Sequence, residues 1–382
     1  MLALGAVLGL TACAPQVSAP SVIGIAPPIG AAPTVPQQPR AALLLPLTGP
    51  NAPLGQAMLN AATLALFDEA PQGVEFVPRD TGGTATGAAA AARQALADGA
   101  RVLVGPLTSA EAASVGSVAR GAGVPMLAFT NDAQRAGPNA WVLGTTPQQQ
   151  VRRVVAAAAR DGAQRFVLAA PNTEFGRALA EGLRGAAADL GLPAPAIALH
   201  PAAADPAMAA GAARVAAPRA DALLLGETGD RARRFAAAYV AEVRAMQAAT
   251  DPAATGPAML GTALWLNDPA VRGETTLVGA RFPGPDANAR TRFEDRYREA
   301  FGAAPPRVAA SAYDAAALAA RVLRDRTTPD GTTAIRSFDG ADGPVRLLAN
   351  GGTARGLAIY ALSASGEPAL VEPAADPAGA GF

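Results

Sequence analysis

Two short polar sets in this chain have the residue types and spacing to hold a small anion. Thr108-Ser109 follow the apolar run Val102–Val104 and the break Gly105-Pro106, where a helix begins with Glu111 in its first turn. Thr130-Asn131-Asp132 end a second apolar run, Pro125–Phe129. Hydroxyls beside a helix amino terminus, with its free N–H groups and partial positive charge, suit a carboxylate. Strand, helix and strand in this order put both sets at the carboxyl edge of a parallel sheet, where ligands bind in open α/β folds. Glu227, in Gly226-Glu227-Thr228, stands at a later strand end of the same kind, and Phe175 lies where Asn172–Gly176 lead into a helix. Each of these residues has a purely structural reading beside the ligand one. Ser109 suits an N-cap worth about 1 kcal/mol, Thr130–Asp132 a turn, Phe175 the core and Glu227 a solvated rim.

Other chemistry is poorly provided for. His200 is the single histidine and Cys13 the single cysteine of the 382 residues, which excludes histidine or cysteine metal clusters and a disulfide within the chain. There is no P-loop, no nucleophile elbow and no GxGxxG after a strand, so neither an enzyme nor a cofactor is expected. Acidic and basic residues balance at 31 each, which speaks against a nucleic-acid surface. The sequence contains no lysine, so every basic side chain is an arginine.

The elements that must carry the polar sets repeat one pattern. Ala41–Leu45, Val74–Val77 and Val102–Val104 read as strands, with helices over Leu54–Asp68 and Thr84–Asp98. After Trp141–Leu143, Gly144–Pro147 marks a crossing to a second lobe. There Arg165–Ala170, Ala222–Leu225, Ala258–Leu260 and Thr276–Phe282 read as strands; Pro171–Gly176 lead into a helix reaching Leu190, and another helix runs from Asp230 to about Gln247. Helices follow over Arg290–Phe301, with Tyr297 and its arginines on a solvated face, and over Ser311–Asp325, where Asp314 suits the helix dipole. Val345–Leu348 and Leu357–Leu362 suggest a closing hairpin, and His200 beside Pro201 a surface loop. Such alternation implies an α/β fold of two doubly wound parallel sheets. We assign 40–144 with 285–325 to lobe 1, 145–284 with 326–365 to lobe 2, and 366–382 to a tail.

LLLPLTGPNAPLGQAML at the start, GPLTS followed by VPMLAFTND, and NTEFGRALAEGL resemble the type I periplasmic binding proteins of the leucine/isoleucine/valine-binding family. The resemblance spans roughly residues 40–365 and implies a two-lobed fold with a multi-strand hinge. It also implies that Ser109, beside Thr108, helps hold a ligand carboxylate and that Thr130, Asn131 and Asp132 add contacts. Phe175 then takes the place of an aromatic packing on the ligand, with Glu227 facing the same cleft. Amino-acid binders of the family carry an acid before a glycine in a late strand; in Thr276–Ala280, Val278 stands there. Either the ligand is not a free α-amino acid or the cleft is vestigial. ARFPGP, RFEDRYREAFGAAPP, SAYDAAAL, ARGLAIYAL and GTALW most resemble one branch, the penicillin-binding protein activators. This implies a non-enzymatic regulator whose partner is a penicillin-binding protein, a peptidoglycan synthase. The alternative is the solute-binding component of an amino-acid or amide ABC importer, with a permease as partner and a small carboxylate as ligand.

The amino-terminal residues fit either role. Leu2–Leu10 is too short to span a bilayer but suits a signal-peptide apolar region, and Leu10-Thr11-Ala12-Cys13 resembles a bacterial lipobox with Cys13 as the lipidated residue. Ala14, where an Asp commonly retains lipoproteins in the inner membrane, points to outer-membrane sorting. Ala14–Pro39, rich in Pro and Ala, reads as a tether with a reach on the order of 80 Å. Replacing Cys13→Ser is expected to release the protein from the membrane fraction and to abolish labelling by a fatty-acid probe; unchanged fractionation would refute the lipobox.

Overall fold

The computed structural model describes residues 38–69, 73–250, 256–324 and 336–377. The stretches read as signal segment and tether, with Cys13, lie up to residue 37 outside the described residues. The first lobe is built from β1 (Arg40–Leu45), α1 (Ala52–Glu69), β2 (Glu75–Asp80), α2 (Ala85–Ala97), β3 (Ala100–Val104), α3 (Ser109–Ala122), β4 (Met126–Ala128) and β5 (Ala140–Val142). Its sheet runs β2-β1-β3-β4-β5, all parallel. Side chains along β1 alternate between two cores: Ala41, Leu43 and Leu45 face one and Ala42 and Leu44 the other. A strand apolar on both faces is what a sheet covered by helices on both sides requires.

The chain crosses at Gly144–Thr146 into α4 (Pro147–Arg160), a helix absent from the elements expected above. Then come β6 (Phe166–Pro171), α5 (Glu174–Asp189), β7 (Ala196–His200), α6 (Pro206–Ala216), β8 (Ala222–Leu225), α7 (Gly229–Thr250), β9 (Ala258–Leu260), the single turn α8 (Pro269–Arg272) and β10 (Arg281–Gly284). A second crossing returns the chain through α9 (Ala287–Phe301) to α10 (Ala309–Arg324), which lies beside α1 on the first sheet. β11 (Ser337–Gly340), β12 (Gly343–Leu347) and β13 (Thr353–Arg355) form a small antiparallel sheet, and a third passage leads to β14 (Ala358–Leu362) and β15 (Pro368–Glu372). The second sheet runs β15-β14-β10-β9-β8-β6-β7, parallel from β7 to β10 and antiparallel beyond.

Several expectations change. The closing hairpin does not form: β12 pairs with β11 and β13, while β14 pairs with β10 and β15. Phe338, Ala341 and Val345 of the small sheet join the first-lobe core, and β15 lies in the stretch read as a tail. Thr276–Phe282 is not one strand but a 3-10 turn over Thr275–Leu277 followed by β10. Tyr297 is not on a solvated face; it is 3% exposed, packs against Phe293 and Phe301, and donates its hydroxyl to the Ala57 carbonyl at 3.1 Å.

Asp314 does more than suit a dipole. It has no exposed surface, and its carboxylate meets the equally buried Arg355 guanidinium at 2.8 Å and the Ala341 N–H at 2.6 Å. Arg355 also donates to the Leu143 carbonyl, at 3.1 Å from Nε. One ion pair thus joins α10, the first crossing and the strand leading to the third. Complete burial pushes the Asp314 carboxyl up, against the pull of Arg355. Removing one partner leaves an uncompensated buried charge. Asp314→Ala is therefore expected to lose about 3–5 kcal/mol in urea unfolding, and Asp314→Leu combined with Arg355→Met to recover much of it; equal losses in both variants would refute the pairing argument.

Candidate functional site

The carboxyl ends of the first sheet carry loops that are braced before any ligand arrives. After β1 and β2, the Asp80 carboxylate accepts from the Thr48 hydroxyl at 2.7 Å and from the N–H groups of Leu47, Thr48 and Gly82. The Thr48 bond, with the backbone donors, holds its carboxyl below the usual range despite some desolvation. After β3, Thr108 caps α3. Its hydroxyl oxygen accepts from the Glu111 N–H, and Glu111 Oε2 receives the Thr108 N–H at 3.0 Å, a reciprocal capping box. Thr108 is thus turned into its own helix. Glu111 itself is 1% exposed, and its Oε1 has no hydrogen-bond partner.

Ser109 and Asp132 come together as their sheet-edge positions predicted. The Ser109 hydroxyl donates to Asp132 Oδ2, which also accepts from Arg135 Nε at 2.9 Å. Asp132 Oδ1 caps the following 3-10 turn through Gln134 N–H, and the buried Thr130 hydroxyl oxygen accepts the Asp132 N–H at 3.2 Å. Partial burial pushes the Asp132 carboxyl up, but the bonds from Ser109, Gln134 and Arg135 outweigh it and hold it below the usual carboxylate range. Asn131 is exposed and takes no part in this network. Arg135, which closes it, was not singled out in the sequence.

The second sheet presents a comparable set. Thr173 caps α5 through Gly176 N–H at 3.2 Å, and Gly176 is a glycine because a Cβ there would overlap the Pro171 carbonyl. Phe175, in this first turn, is half-buried against the core of Phe166, Leu168 and Leu179. Glu227 is not a rim residue: it is 5% exposed and held by Arg231, with Nη2 to Oε1 at 2.8 Å and Nε to Oε2 at 3.1 Å. His200 is not on a surface loop but ends β7, 8% exposed, with Nε2 3.4 Å from Glu227 Oε1. The Glu227 carbonyl accepts the Trp265 indole N–H at 2.9 Å, and Trp265 in turn fills the space that a side chain at Gly261 would need. Arg231 stands one helical turn after Glu227, a spacing legible in the sequence. His200 reaches Glu227 only through the neighbouring strand ends.

Val278 does not face this edge. It precedes β10, at the opposite end of that strand, and is 48% exposed. At the carboxyl edge β9 is followed by Gly261-Thr262-Ala263, whose Ala263 N–H goes to buried Gln150 at 3.0 Å. Its carbonyl accepts Arg307 Nη1, from the loop between α9 and α10, at 2.7 Å, a contact between the lobes.

A family model described as periplasmic binding protein matches residues 38–367. No curated protein matches the chain. Among solved structures, a Rhodospirillum rubrum protein assigned as a branched-chain amino acid ABC transporter aligns with a TM-score of 0.73 at 21% identity, covering 88% of this chain and 100% of that one. The leucine-, isoleucine-, valine-, threonine- and alanine-binding protein from Brucella ovis, in a closed conformation, aligns at 0.64 and 17% identity, covering 88% and 94%. Full-length LpoA from Haemophilus influenzae aligns at 0.66 and 17% identity, covering 88% of this chain and 59% of LpoA. At such identities the likeness is one of fold.

Because the folded-state pKa of Asp132 is lowered, its contribution to stability is present above the ordinary carboxylate range and is lost as pH falls through and below it. Asp132→Asn is expected to lower stability by about 1 kcal/mol near neutral pH. The gap from wild type should close below about pH 4; thermal melts from pH 7 to 3 test this, and a gap independent of pH would contradict it.

Proposed function

The chain belongs to the periplasmic binding protein family, and on that premise we propose that it is a non-enzymatic regulator of cell-wall synthesis, anchored through Cys13 and facing the periplasm. The observation that carries this reading is the internal pairing of the cleft residues. Ser109 is spent on Asp132, and Asp132 on Arg135 as well. Glu227 is spent on Arg231 and stands against His200. A free α-amino acid needs an acceptor for its ammonium group and donors for its carboxylate. Here the second-lobe acid is already neutralised and the first-lobe hydroxyl faces a carboxylate. Displacing such charge-assisted bonds costs about 1.5–3 kcal/mol each, which an importer that scavenges dilute solute could ill tolerate. A regulator works through the outside of its lobes, and the late-chain resemblance to penicillin-binding protein activators supports a peptidoglycan synthase as the proposed partner.

A second reading, the solute-binding component of an ABC importer, is favoured by the Ser109 hydroxyl at the amino terminus of α3. Calorimetry separates the two. Leucine, isoleucine, valine, threonine and alanine are each expected to bind with a Kd no tighter than about 10 μM, roughly −7 kcal/mol. Submicromolar binding that disappears in Ser109→Ala would overturn the regulator reading in favour of import.

A further inference from the structure

A cavity of about 440 Å³ lies between α4, α5 and the small sheet beside the hinge. Its size falls within the range of small-molecule sites. None of the cleft residues described above lines it. Two of its groups are left over by the fold. The Arg346 guanidinium, half-buried on β12, has neither an ion pair nor a hydrogen bond among the described residues. Gln148 Oε1, on the first turn of α4, is buried without any donor. The neighbouring cations are satisfied: Arg152 by Asp189 at 2.5 Å, and Arg153 by Glu372 at 2.9 Å and the Leu357 carbonyl at 2.7 Å. On the facing helix, Glu181 is exposed and without a partner among the described residues, and Gly185 has open space where a side chain would project.

Buried acceptors are rarely left unmatched in folded proteins, and a guanidinium is a natural partner for a carboxylate. We propose that this cavity is a second ligand site, for a small amphoteric molecule on the scale of a dipeptide. Its carboxylate meets Arg346, an N–H meets Gln148 Oε1, and its ammonium group meets Glu181. The walls belong to both sides of the hinge. α4 starts directly after the first crossing, and Thr353, on β13, donates its hydroxyl to the Val142 carbonyl at 2.9 Å and accepts from Gln149. An occupant therefore favours one arrangement of the hinge over another.

Calorimetry of the full chain with alanyl-alanine tests the site without depending on the cleft. Binding is expected in the wild type and, unchanged, in Ser109→Ala. It should weaken about tenfold or more in Arg346→Gln and for alanyl-alanine amide, each of which removes one charged partner. Gly185→Met, which fills the cavity from a helix position with room for the side chain, should abolish binding while leaving the thermal midpoint unchanged or raised. Absence of binding heat at about 10 mM, or equal affinity in the wild type, Arg346→Gln and Gly185→Met, would overturn the proposal. So would binding that disappears in Ser109→Ala but persists in Arg346→Gln, because the ligand would then belong to the cleft.

Discussion

A carboxylate with no exposed surface has to be met inside the protein, and the arrangement of this molecule follows from how Asp314 is met. Its partner Arg355 sits on the strand that leads out of the small sheet, and the same guanidinium reaches the Leu143 carbonyl where the chain first leaves the first sheet. Two passages between lobes and the helix packed on the first core are therefore held at one point. Desolvation makes such a pair a poor source of stability compared with apolar packing, but a costly one to disrupt. It ties α10 and β13 to the start of the first passage between the lobes. With that point fixed, the carboxyl edges of the two sheets, and the loops they carry, are placed as well.

The loops at those edges share a physical logic. Each acid there is surrounded by donors from its own lobe: Asp80 by backbone N–H groups and Thr48, Asp132 by Ser109 and Arg135, Glu227 by Arg231. The edges thus present hydroxyls and carboxylates already oriented by hydrogen bonds, Asp132 and Glu227 being paired with arginines as well. Helix starts are pressed close to the strand ends, as at Gly176, where no side chain fits beneath the Pro171 carbonyl. What a partner or ligand meets is a preformed polar surface in which rearrangement carries a cost.

Much of the fold was legible because most of its strands are buried on both faces, and a run such as Leu43-Leu44-Leu45 or Leu223-Leu224-Leu225 has few other places to be. The polar sets were legible as well, since Ser109 and Asp132 each stand directly after a buried strand. What escaped notice lacked that signature. β7 is an edge strand of mostly half-buried residues, α6 is about half alanine, and the small sheet is short and polar. The pairing of Glu227 with His200 depends on β7 and β8 flanking β6, which no local pattern announces. Val278 was matched to the ligand acid of the resembling family by its place before Gly279. A turn over Thr275–Leu277 shortens the strand expected over Thr276–Phe282 and leaves Val278 at its far end.

The position of His200 gives the molecule a built-in observer. It is the only imidazole in the chain, and it lies buried beside Glu227 at the end of β7. Its two carbon-bound ring protons therefore give magnetic-resonance signals that need no assignment by mutagenesis. Both signals originate at the carboxyl edge of the second sheet, within reach of the carboxylate that also engages Arg231. Any event that turns Glu227 away, from closure of the lobes to docking of another protein on their outer faces, would be recorded at that single ring without a label being introduced.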